Sequence, residues 1–450
     1  MNSETDDHLN KAGSLIVGGS SAAVTTAGKG RRLISRMNED ALVTINSTGQ
    51  NLCTGLWWLG DYKFREKDYL QIYIWARDFT QDGYPIKPLE LANELANAMC
   101  YRNWLQNGWI DGASFAFFNA ELRSYGREFK TQTWGIGVHS IRRLDLSNVP
   151  QLTTLWCYKN QLTKLDLSKV PKLALFRCHQ NQLTELNLSN VPKLAILWCF
   201  ENQLTELDLS NTPELTDLWC DHNHLSKLDL TNAPELRVLF CEYNHLRELD
   251  LSNAPKLEAL HCIGNQLTEL NLSNLSQLVE LFCDNNYLSK LVLLNLPKLE
   301  LFQCYQNQLT EVALKDLPRL AHLDFQSNQL TEFGLSNLPK LKRLDCGYNR
   351  LTELDLTSVP ELKRLDCRYN RLTELGLTNL PKLTDLYCNS NQLTELDLTN
   401  LPKLTTLACR ENQLTELDIR NCKALNEITC DQTVKIIKNP DQKNIKVERV

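Results

Sequence analysis

The feature that most constrains this chain is a repeat of 21 residues, clearest at Gln203–Cys220, which reads QLTELDLSNTPELTDLWC. The repeat runs from about residue 144 to residue 430. A cysteine recurs at one position of it: Cys157, Cys178, Cys199, Cys220, Cys241, Cys262, Cys283, Cys304, Cys346, Cys367, Cys388, Cys409 and Cys430, with Phe325 in the remaining copy. An asparagine follows three residues later, from Asn160 through Asn412. This short fixed period predicts a solenoid, in which each copy forms one coil and stacks on its neighbours.

Each copy contains the motif LxxLxCxxNxL, which is typical of a leucine-rich-repeat solenoid. We expect one short strand per coil, so that the strands form a parallel sheet on the concave face. A coil of 21 residues has no room for a helix on its return, so we predict a short extended or 3-10 segment there. Leucines and cysteines should fill the spine, and each asparagine amide should satisfy backbone groups where the chain turns.

The segments outside the repeats differ in composition. Residues 1–50 are rich in serine, threonine and glycine, which predicts a disordered segment that is either a tail or an export signal. Residues 51–140 contain clustered aromatics and helical spacing, which predicts a small, mainly helical N-terminal domain that caps the repeats. The repeats occupy 141–430. Two β-like runs in 431–450, VKII and IKVERV, predict a C-terminal β cap in the form of a hairpin.

Charge and cysteine usage exclude several classes of function. The net charge of -6, with both signs interspersed, disfavours a nucleic-acid partner. No apolar run reaches the roughly 18 residues of a membrane span, and the acidic N-terminus does not resemble a signal peptide of the general secretory pathway. The 16 cysteines include no CxxC pair, so we read the repeated ones as buried free thiols suited to a reducing cytosol. We predict a monomer without cofactor or metal.

The candidate binding surface follows from strand alternation. If the leucine and cysteine of each strand point inward, the residue between them points to the concave face. Reading that position, and the residue after the cysteine, gives an aromatic set: Trp156, Tyr158, His179, Trp198, Phe200, Trp219, Phe240, His261, Phe282 and Tyr305. So many large side chains predict a protein-binding site, because Trp, Tyr and Phe dominate interfaces. The alternative is a stacking ladder that stabilises the sheet without any ligand.

Further along, the same position carries Asp324, Asp345 and Asp366. Three carboxylates on adjacent strands should raise one another's pKa, and Arg343 and Arg364 lie where they can neutralise them. We predict either a mutually paired polar surface, whose exposed ion pairs contribute little, or a charged specificity region of the binding site. A divalent-cation site is a third reading.

The repeat resembles the cysteine-ladder leucine-rich repeats of bacteria, such as internalin-J-type arrays. Without a signal peptide or a wall-anchoring end, the chain looks more like the leucine-rich-repeat effectors that enterobacterial pathogens inject by type III secretion. That resemblance implies a disordered export signal and a protein that is in the bacterial cytoplasm before its export. It also implies repeats that bind a protein in the host cytosol. Some such effectors are ubiquitin ligases with a large domain after the repeats, and this activity is not carried over.

Three functions therefore follow for the chain. The first is a non-enzymatic effector that binds a host protein on its aromatic surface. The second is a bacterial cytosolic scaffold that is not exported. The third is an enzyme in residues 51–140 that the repeats target, although no GxSxG, phosphate-loop or HExxH motif occurs in the sequence.

Overall fold

The computed structural model covers the repeats and the C-terminal end of the chain. It describes residues 150–449 continuously, together with the strand Thr133–Gly135 and the single residues at positions 142, 144 and 146. The predicted disordered segment 1–50, and the predicted helical domain 51–140 apart from that one strand, lie outside the described residues. The chain divides into two compact units.

The described residues of the first unit, Met1–Leu204, form four parallel strands in chain order. They are β1 (Thr133–Gly135), β2 (Thr154–Trp156), β3 (Leu175–Arg177) and β4 (Ile196–Trp198). In the pairing of β1 with β2, Thr133 lies opposite Thr154, which is 21 residues later. The strand β1 thus continues the repeat spacing upstream of residue 141, where the sequence analysis placed the first repeat.

The second unit, Thr205–Val450, contains sixteen strands. They are β5 (Asp217–Trp219), β6 (Val238–Phe240), β7 (Ala259–His261), β8 (Glu280–Phe282), β9 (Lys290–Leu294), β10 (Leu301–Gln303), β11 (Glu311–Lys315), β12 (His322–Asp324), β13 (Arg343–Asp345), β14 (Arg364–Asp366), β15 (Asp385–Tyr387), β16 (Thr406–Ala408), β17 (Glu416–Asp418), β18 (Glu427–Cys430), β19 (Lys435–Ile437) and β20 (Lys446–Arg449). The main sheet is β5-β6-β7-β8-β10-β12-β13-β14-β15-β16-β18-β20, and β9 with β11 and β17 with β19 form two small parallel sheets.

The return segments of the coils are extended and turn-like. Between residues 150 and 449 none of them is a 3-10 helix, so of the two predicted forms the coils adopt the extended one. Most turns are closed by an Asp or Asn, as where Asp208 Oδ1 accepts the backbone N–H of Ser210 at 2.9 Å. Val292 and Ala313 stand at this repeat position in β9 and β11. Neither side chain can accept that hydrogen bond, and here the strands continue to Leu294 and Lys315 and pair with each other.

The C-terminal segment forms one more coil, so the predicted hairpin is wrong. β19 pairs in parallel with β17, and β20 pairs in parallel with β18. The two strands therefore lie in different sheets and do not pair with each other. The physical reason is that the last repeat leaves an open strand edge in each sheet, and a further parallel coil covers both edges.

The core of each unit is a spine of leucines and cysteines. In the coil that contains β5, Leu215, Leu218 and Cys220 have no exposed surface. The described cysteines are all free and buried. Burial raises the pKa of several of these thiols, that of Cys409 to about 12, so these pack as apolar groups and do not act as nucleophiles. Phe325 fills the gap in the series with an equally buried ring.

The repeated asparagines join adjacent coils by hydrogen bonds, as predicted. Asn265 donates from Nδ2 to the carbonyl oxygens of Cys241 at 3.0 Å and Cys262 at 3.1 Å. Its Oδ1 accepts the N–H of Leu246 at 3.0 Å. One buried side chain therefore satisfies backbone groups of two successive coils, which explains why the position is asparagine throughout.

Candidate functional site

The residue between the inward leucine and the cysteine of each repeat lies on the face opposite the spine. In the coil of β5, Leu218 and Cys220 are fully buried, whereas Trp219 between them is half-buried. The same alternation occurs in both units, because successive side chains of a strand point to opposite faces. The predicted orientation is confirmed. We call the predicted aromatic and histidine side chains on this side of the strands, five in each unit, the aromatic face.

In the first unit, the aromatic face holds an arginine between two tryptophans. Arg177 in β3 lies opposite Trp156 of β2 and Trp198 of β4. Its guanidinium carbon Cζ is 3.7 Å from the centre of the Trp198 ring and 5.5 Å from that of Trp156. Cation–π contacts at such distances contribute about 0.5–2 kcal/mol each, so the two indoles hold the guanidinium in place.

A second row beside it consists of stacked rings. The His179 ring lies 4.7 Å from Tyr158 and 4.2 Å from Phe200, in both cases nearly parallel. His179 is buried, and this burial, with a smaller effect of the Arg177 charge, lowers the pKa of His179 to about 4. Glu201 opposes the shift. The imidazole is therefore neutral at physiological pH.

In the second unit, the aromatic face is a continuous stack. The ring centres of Trp219 and Phe240 are 4.8 Å apart, those of Phe240 and His261 4.1 Å, and those of His261 and Phe282 4.3 Å. All four side chains are half-buried. The stacking ladder that the sequence allowed is thus present, and each ring still keeps part of its surface exposed. Tyr305, the last member of the aromatic face, is also half-buried.

A buried carboxyl group that the sequence analysis did not single out lies beside Tyr305. Asp284 has no exposed surface, and its Oδ1 accepts the backbone N–H of Tyr305 at 2.8 Å. Its Oδ2 has no hydrogen-bond partner in the described part of the chain. Burial raises the pKa of Asp284 to about 7, and the negative charges of Asp324 and Glu242 add to the shift. Near neutral pH this carboxyl group is a destabilising element of the sheet.

We expect Asp284→Asn to raise the free energy of unfolding by about 2 kcal/mol at a pH of about 8 and to have little effect below about pH 4. The amide keeps the oxygen that accepts the Tyr305 N–H and removes the buried charge. The pKa of Asp284 in the folded protein, about 7, lies above its ordinary value of 3.8, so ionisation destabilises the native state at higher pH. As the pH falls from that pKa to below 3.8, the wild-type protein progressively recovers the lost stability.

Urea unfolding at several pH values measures this difference. Asp229→Asn is the matched control, because Asn187 and Asn271 occupy the same repeat position and accept the same turn hydrogen bond. The control should change stability by less than about 0.5 kcal/mol at every pH. A variant at Asp284 that is no more stable than wild type at high pH would contradict the assigned burial of the charge.

The acidic run of Asp324, Asp345 and Asp366 does not form the surface of exposed ion pairs that was one of the predictions. Asp345 has 1% and Asp366 0% of its side chain exposed, because each sits at the base of a layer of arginines. Arg343 pairs with Asp345, and Arg364 Nε lies 3.4 Å from Asp345 Oδ1. Arg368 Nη2 lies 2.7 Å from Asp366 Oδ2. The predicted neutralisation by arginine is confirmed, but the carboxylates are core groups beneath the guanidinium layer and do not face a partner.

The expected mutual repulsion is not the main cause of the pKa shifts in this run. Burial is the largest cause, and it raises the pKa of Asp324 to about 6, with the neighbouring charge of Asp345 a smaller contribution. Burial likewise raises the pKa of Asp366 against the opposing effect of Arg368. Tyr387 closes the end of the layer, since the Cζ of Arg364 lies 4.5 Å from its ring centre.

The part of the chain that the structure describes contains neither of two further kinds of feature, a metal site and a helical membrane span. It contains no group of three or more His, Cys, Asp or Glu side chains arranged to hold a metal ion, so the cation reading of the acidic run gains no support. Within the same residues, no helix has the length and apolar character needed to cross a bilayer.

Comparison with known proteins decides the family. Residues 318–358 and 360–401 match the family model described as leucine-rich repeats in two copies. The functional domain of InlJ from Listeria monocytogenes, which includes a cysteine ladder, is 35% identical over 66% of this chain and 68% of that chain, with a TM-score of 0.63. This chain belongs to the cysteine-ladder leucine-rich-repeat family. A leucine-rich-repeat solenoid is a protein-interaction module.

Two other solved structures share the fold of this leucine-rich-repeat protein. A leucine-rich-repeat protein of Leptospira interrogans is 21% identical over 70% of this chain and 93% of that chain, with a TM-score of 0.56. YopM from Yersinia enterocolitica is 23% identical over 86% of this chain and 95% of that chain, with a TM-score of 0.52. At these identities the likeness extends to the fold alone. No curated protein sequence matches the chain at a significant level.

Proposed function

We propose that this leucine-rich-repeat protein is a non-enzymatic bacterial effector that binds a host protein on its aromatic face. The observation that carries the proposal is the row of large side chains outside the spine. The spine is already closed by leucine and cysteine side chains with no exposed surface, as at Leu218 and Cys220. The rings of Trp219 and Phe240 are not needed to fill it, and side chains of this kind dominate protein interfaces.

The charged layer beyond the rings adds a specificity region to the proposed site. Arg343 and Arg364 are 46% and 30% exposed at their side chains, whereas Asp345 beneath them is buried. In this proposal the guanidinium groups contact the partner and the carboxylates hold them in position. Such preorganised arginines favour carboxylate-bearing partners, because their planar donors match a carboxylate.

The direct test is a double substitution, Trp219→Ala with Phe240→Ala, in the full-length protein. We expect capture of the host partner to fall by at least about tenfold, because aromatic anchors at interfaces are worth about 2–4 kcal/mol each. Tyr287→Ala is the matched control, since that ring is 52% exposed and lies outside the strands. Capture is measured by pull-down from host cytosol, and melting temperature is measured on the same samples.

The outcome separates binding from packing. Lost capture with a melting temperature near that of the wild type supports the proposed interface. Unchanged capture would show that the aromatic face is not the binding surface. Lost capture together with unfolding would show that the rings act as a stacking ladder, which is the alternative that the ring contacts allow.

Export distinguishes the effector from the second candidate, a scaffold that stays in the bacterial cytosol. Residues 1–60 fused to a reporter that signals only in host cytosol should give a signal in wild-type bacteria and none in a secretion-deficient strain. Retention of both the fusion and the full-length protein would contradict the effector role. The third candidate, an enzyme in 51–140, lies outside the described residues, and an activity screen of the full-length chain tests it.

A further inference from the structure

The first unit contains a cluster of buried nitrogen atoms without hydrogen-bond partners. Among the described residues, five buried side-chain nitrogen or oxygen atoms lack a partner, and three of them are Trp156 Nε1, Arg177 Nε and His179 Nδ1. Trp156 and Arg177 lie opposite each other on β2 and β3, and His179 follows two residues after Arg177. A buried donor left unpaired costs about 1–3 kcal/mol, so a cluster of them calls for an explanation.

The charge of this cluster is positive and is not balanced locally. The described part of the chain places no carboxylate in an ion pair with Arg177, whose nearest contacts are the two indole rings. Arg177 and Lys159 both act on His179 as positive charges, and Glu201 is the one opposing charge. Glu201 Oε2 is itself bound by Gln180 Nε2 at 3.0 Å. The site therefore has two unpaired donors, Trp156 Nε1 and Arg177 Nε, and a guanidinium charge that no described carboxylate pairs with.

We propose that Arg177 is a specificity residue that binds the carboxylate of an aspartate or glutamate side chain of the partner protein. The inference rests on the proposed function, because it assigns the chemistry of one contact on the aromatic face. The indoles of Trp156 and Trp198 hold the guanidinium in position, so little conformational entropy is lost when its terminal nitrogens pair with a carboxylate. The neighbouring rings Tyr158 and Phe200 fit apolar residues on either side of the acidic one.

The alternative is that Arg177 has a purely structural role and only packs between the tryptophans. In that case its charge would contribute to ring stacking and would make no distinction between ligands. Substitutions at this residue would then weaken every ligand equally, in proportion to the damage to the sheet. The two roles differ in whether the loss depends on the charge of the ligand.

Three labelled peptides of equal length provide the probe: one alternates leucine and glutamate, one replaces each glutamate by glutamine, and one replaces each by lysine. Binding to the full-length protein is measured by fluorescence anisotropy. We expect the glutamate peptide to bind at least about tenfold more tightly than the glutamine peptide, as for one charge-assisted contact. Arg177→Gln should abolish this preference, and Arg177→Lys should lose most of it, because an ammonium group neither stacks nor pairs in a bidentate manner.

Arg247→Gln is the matched control, because it removes the same charge from an exposed side chain outside the strands. It should leave the preference unchanged. A second readout follows His179, whose pKa is about 4 in the free protein and is set by burial, Arg177, Lys159 and Glu201. A carboxylate bound at Arg177 should raise it, which an NMR titration of the imidazole protons detects.

Equal affinity for the three peptides, or no binding of the glutamate peptide, would overturn the inference. An equal loss of affinity for all three peptides in Arg177→Gln would also overturn it, because that result is expected if Arg177 only packs between the tryptophans. These failures are distinguishable from failure of the proposed function. If the alanine substitutions at Trp219 and Phe240 abolish capture of the host partner and Arg177→Gln does not, the result supports the proposed interface. It contradicts the carboxylate contact at Arg177.

Discussion

Replacing Asn265 with alanine is expected to lower the free energy of unfolding by about 3 kcal/mol. The substitution leaves the carbonyl oxygens of Cys241 and Cys262 and the N–H of Leu246 without the side chain that pairs with them. Asn265 is 6% exposed, so water does not readily replace these bonds. Urea unfolding followed by tryptophan fluorescence measures the loss. Hydrogen exchange should rise most in the two coils that Asn265 joins, because each coil of a solenoid contacts only its neighbours.

Asn274→Ala is the control for this experiment. Asn274 is exposed on the return segment, and its replacement should cost less than about 0.5 kcal/mol. Asn265→Asp should be more harmful than alanine at neutral pH, because a carboxylate oxygen would face the carbonyl oxygens in place of the amide donor. Equal stability of the Asn265 and Asn274 alanine variants would mean that the asparagine series does not hold the coils together.

The second large effect is expected at Arg364. Its Nε lies 3.4 Å from Asp345 Oδ1, and its Nη2 lies 3.9 Å from Asp366 Oδ2. Arg364→Met removes a cation that two buried carboxylates share, and breaking a buried ion pair typically costs about 3–5 kcal/mol. Because Arg343 and Arg368 remain, we expect a loss near 3 kcal/mol at neutral pH.

The loss at Arg364 should depend on pH in a defined direction. Burial raises the pKa of Asp366 in the wild-type protein, and removal of a neighbouring cation should raise it further. The penalty is therefore fully present when the carboxyl groups are ionised, and it decreases as the pH falls and they take up protons. Arg371→Met, at an exposed position, is the control and should show no such dependence. A loss that is constant with pH would contradict the assigned charge burial.

Much of the fold was predictable because a repeat shows the same positions many times. The orientation of Trp219, the burial of Cys220 and the role of Asn265 all follow from strand alternation and a fixed period. These are properties of a single coil and its immediate neighbours. The parallel sheet and the membership in the leucine-rich-repeat family follow from the same pattern.

The errors arose where a residue's environment depends on which coil lies beside it. Asp284 occupies a repeat position that elsewhere holds Tyr305, His179 or Arg368, and only the packing of the adjacent coils shows that it is buried. Arg177 occupies the repeat position that strand alternation assigns to the face, but its lack of an acidic partner among the described residues is a property of three strands together. A comparison of each charged residue with its neighbours 21 positions away would have indicated that neither Asp284 nor Arg177 has an oppositely charged neighbour there.

The prediction of a C-terminal hairpin was wrong for a different reason. A turn at Asn439 and Pro440 between two β-like runs is a usual hairpin signal, and local sequence contains no information on the two open edges left by β17 and β18. The burial of Asp345 was likewise hidden, because the exposed-pair reading assumed that arginine and aspartate share the surface. In the structure the arginines cover the carboxylates.

The measurement that tests the central proposal most directly is site-specific photocrosslinking in host cytosol. A photoreactive amino acid replaces Gln303, which is half-buried on β10 beside the aromatic face, or Glu353, which is exposed on a return segment. Our account predicts one crosslinked host protein from position 303, absent in the Trp219→Ala, Phe240→Ala background, and none from position 353. A crosslink from position 353 alone, or from neither position while the protein still captures its partner, would contradict binding on the aromatic face.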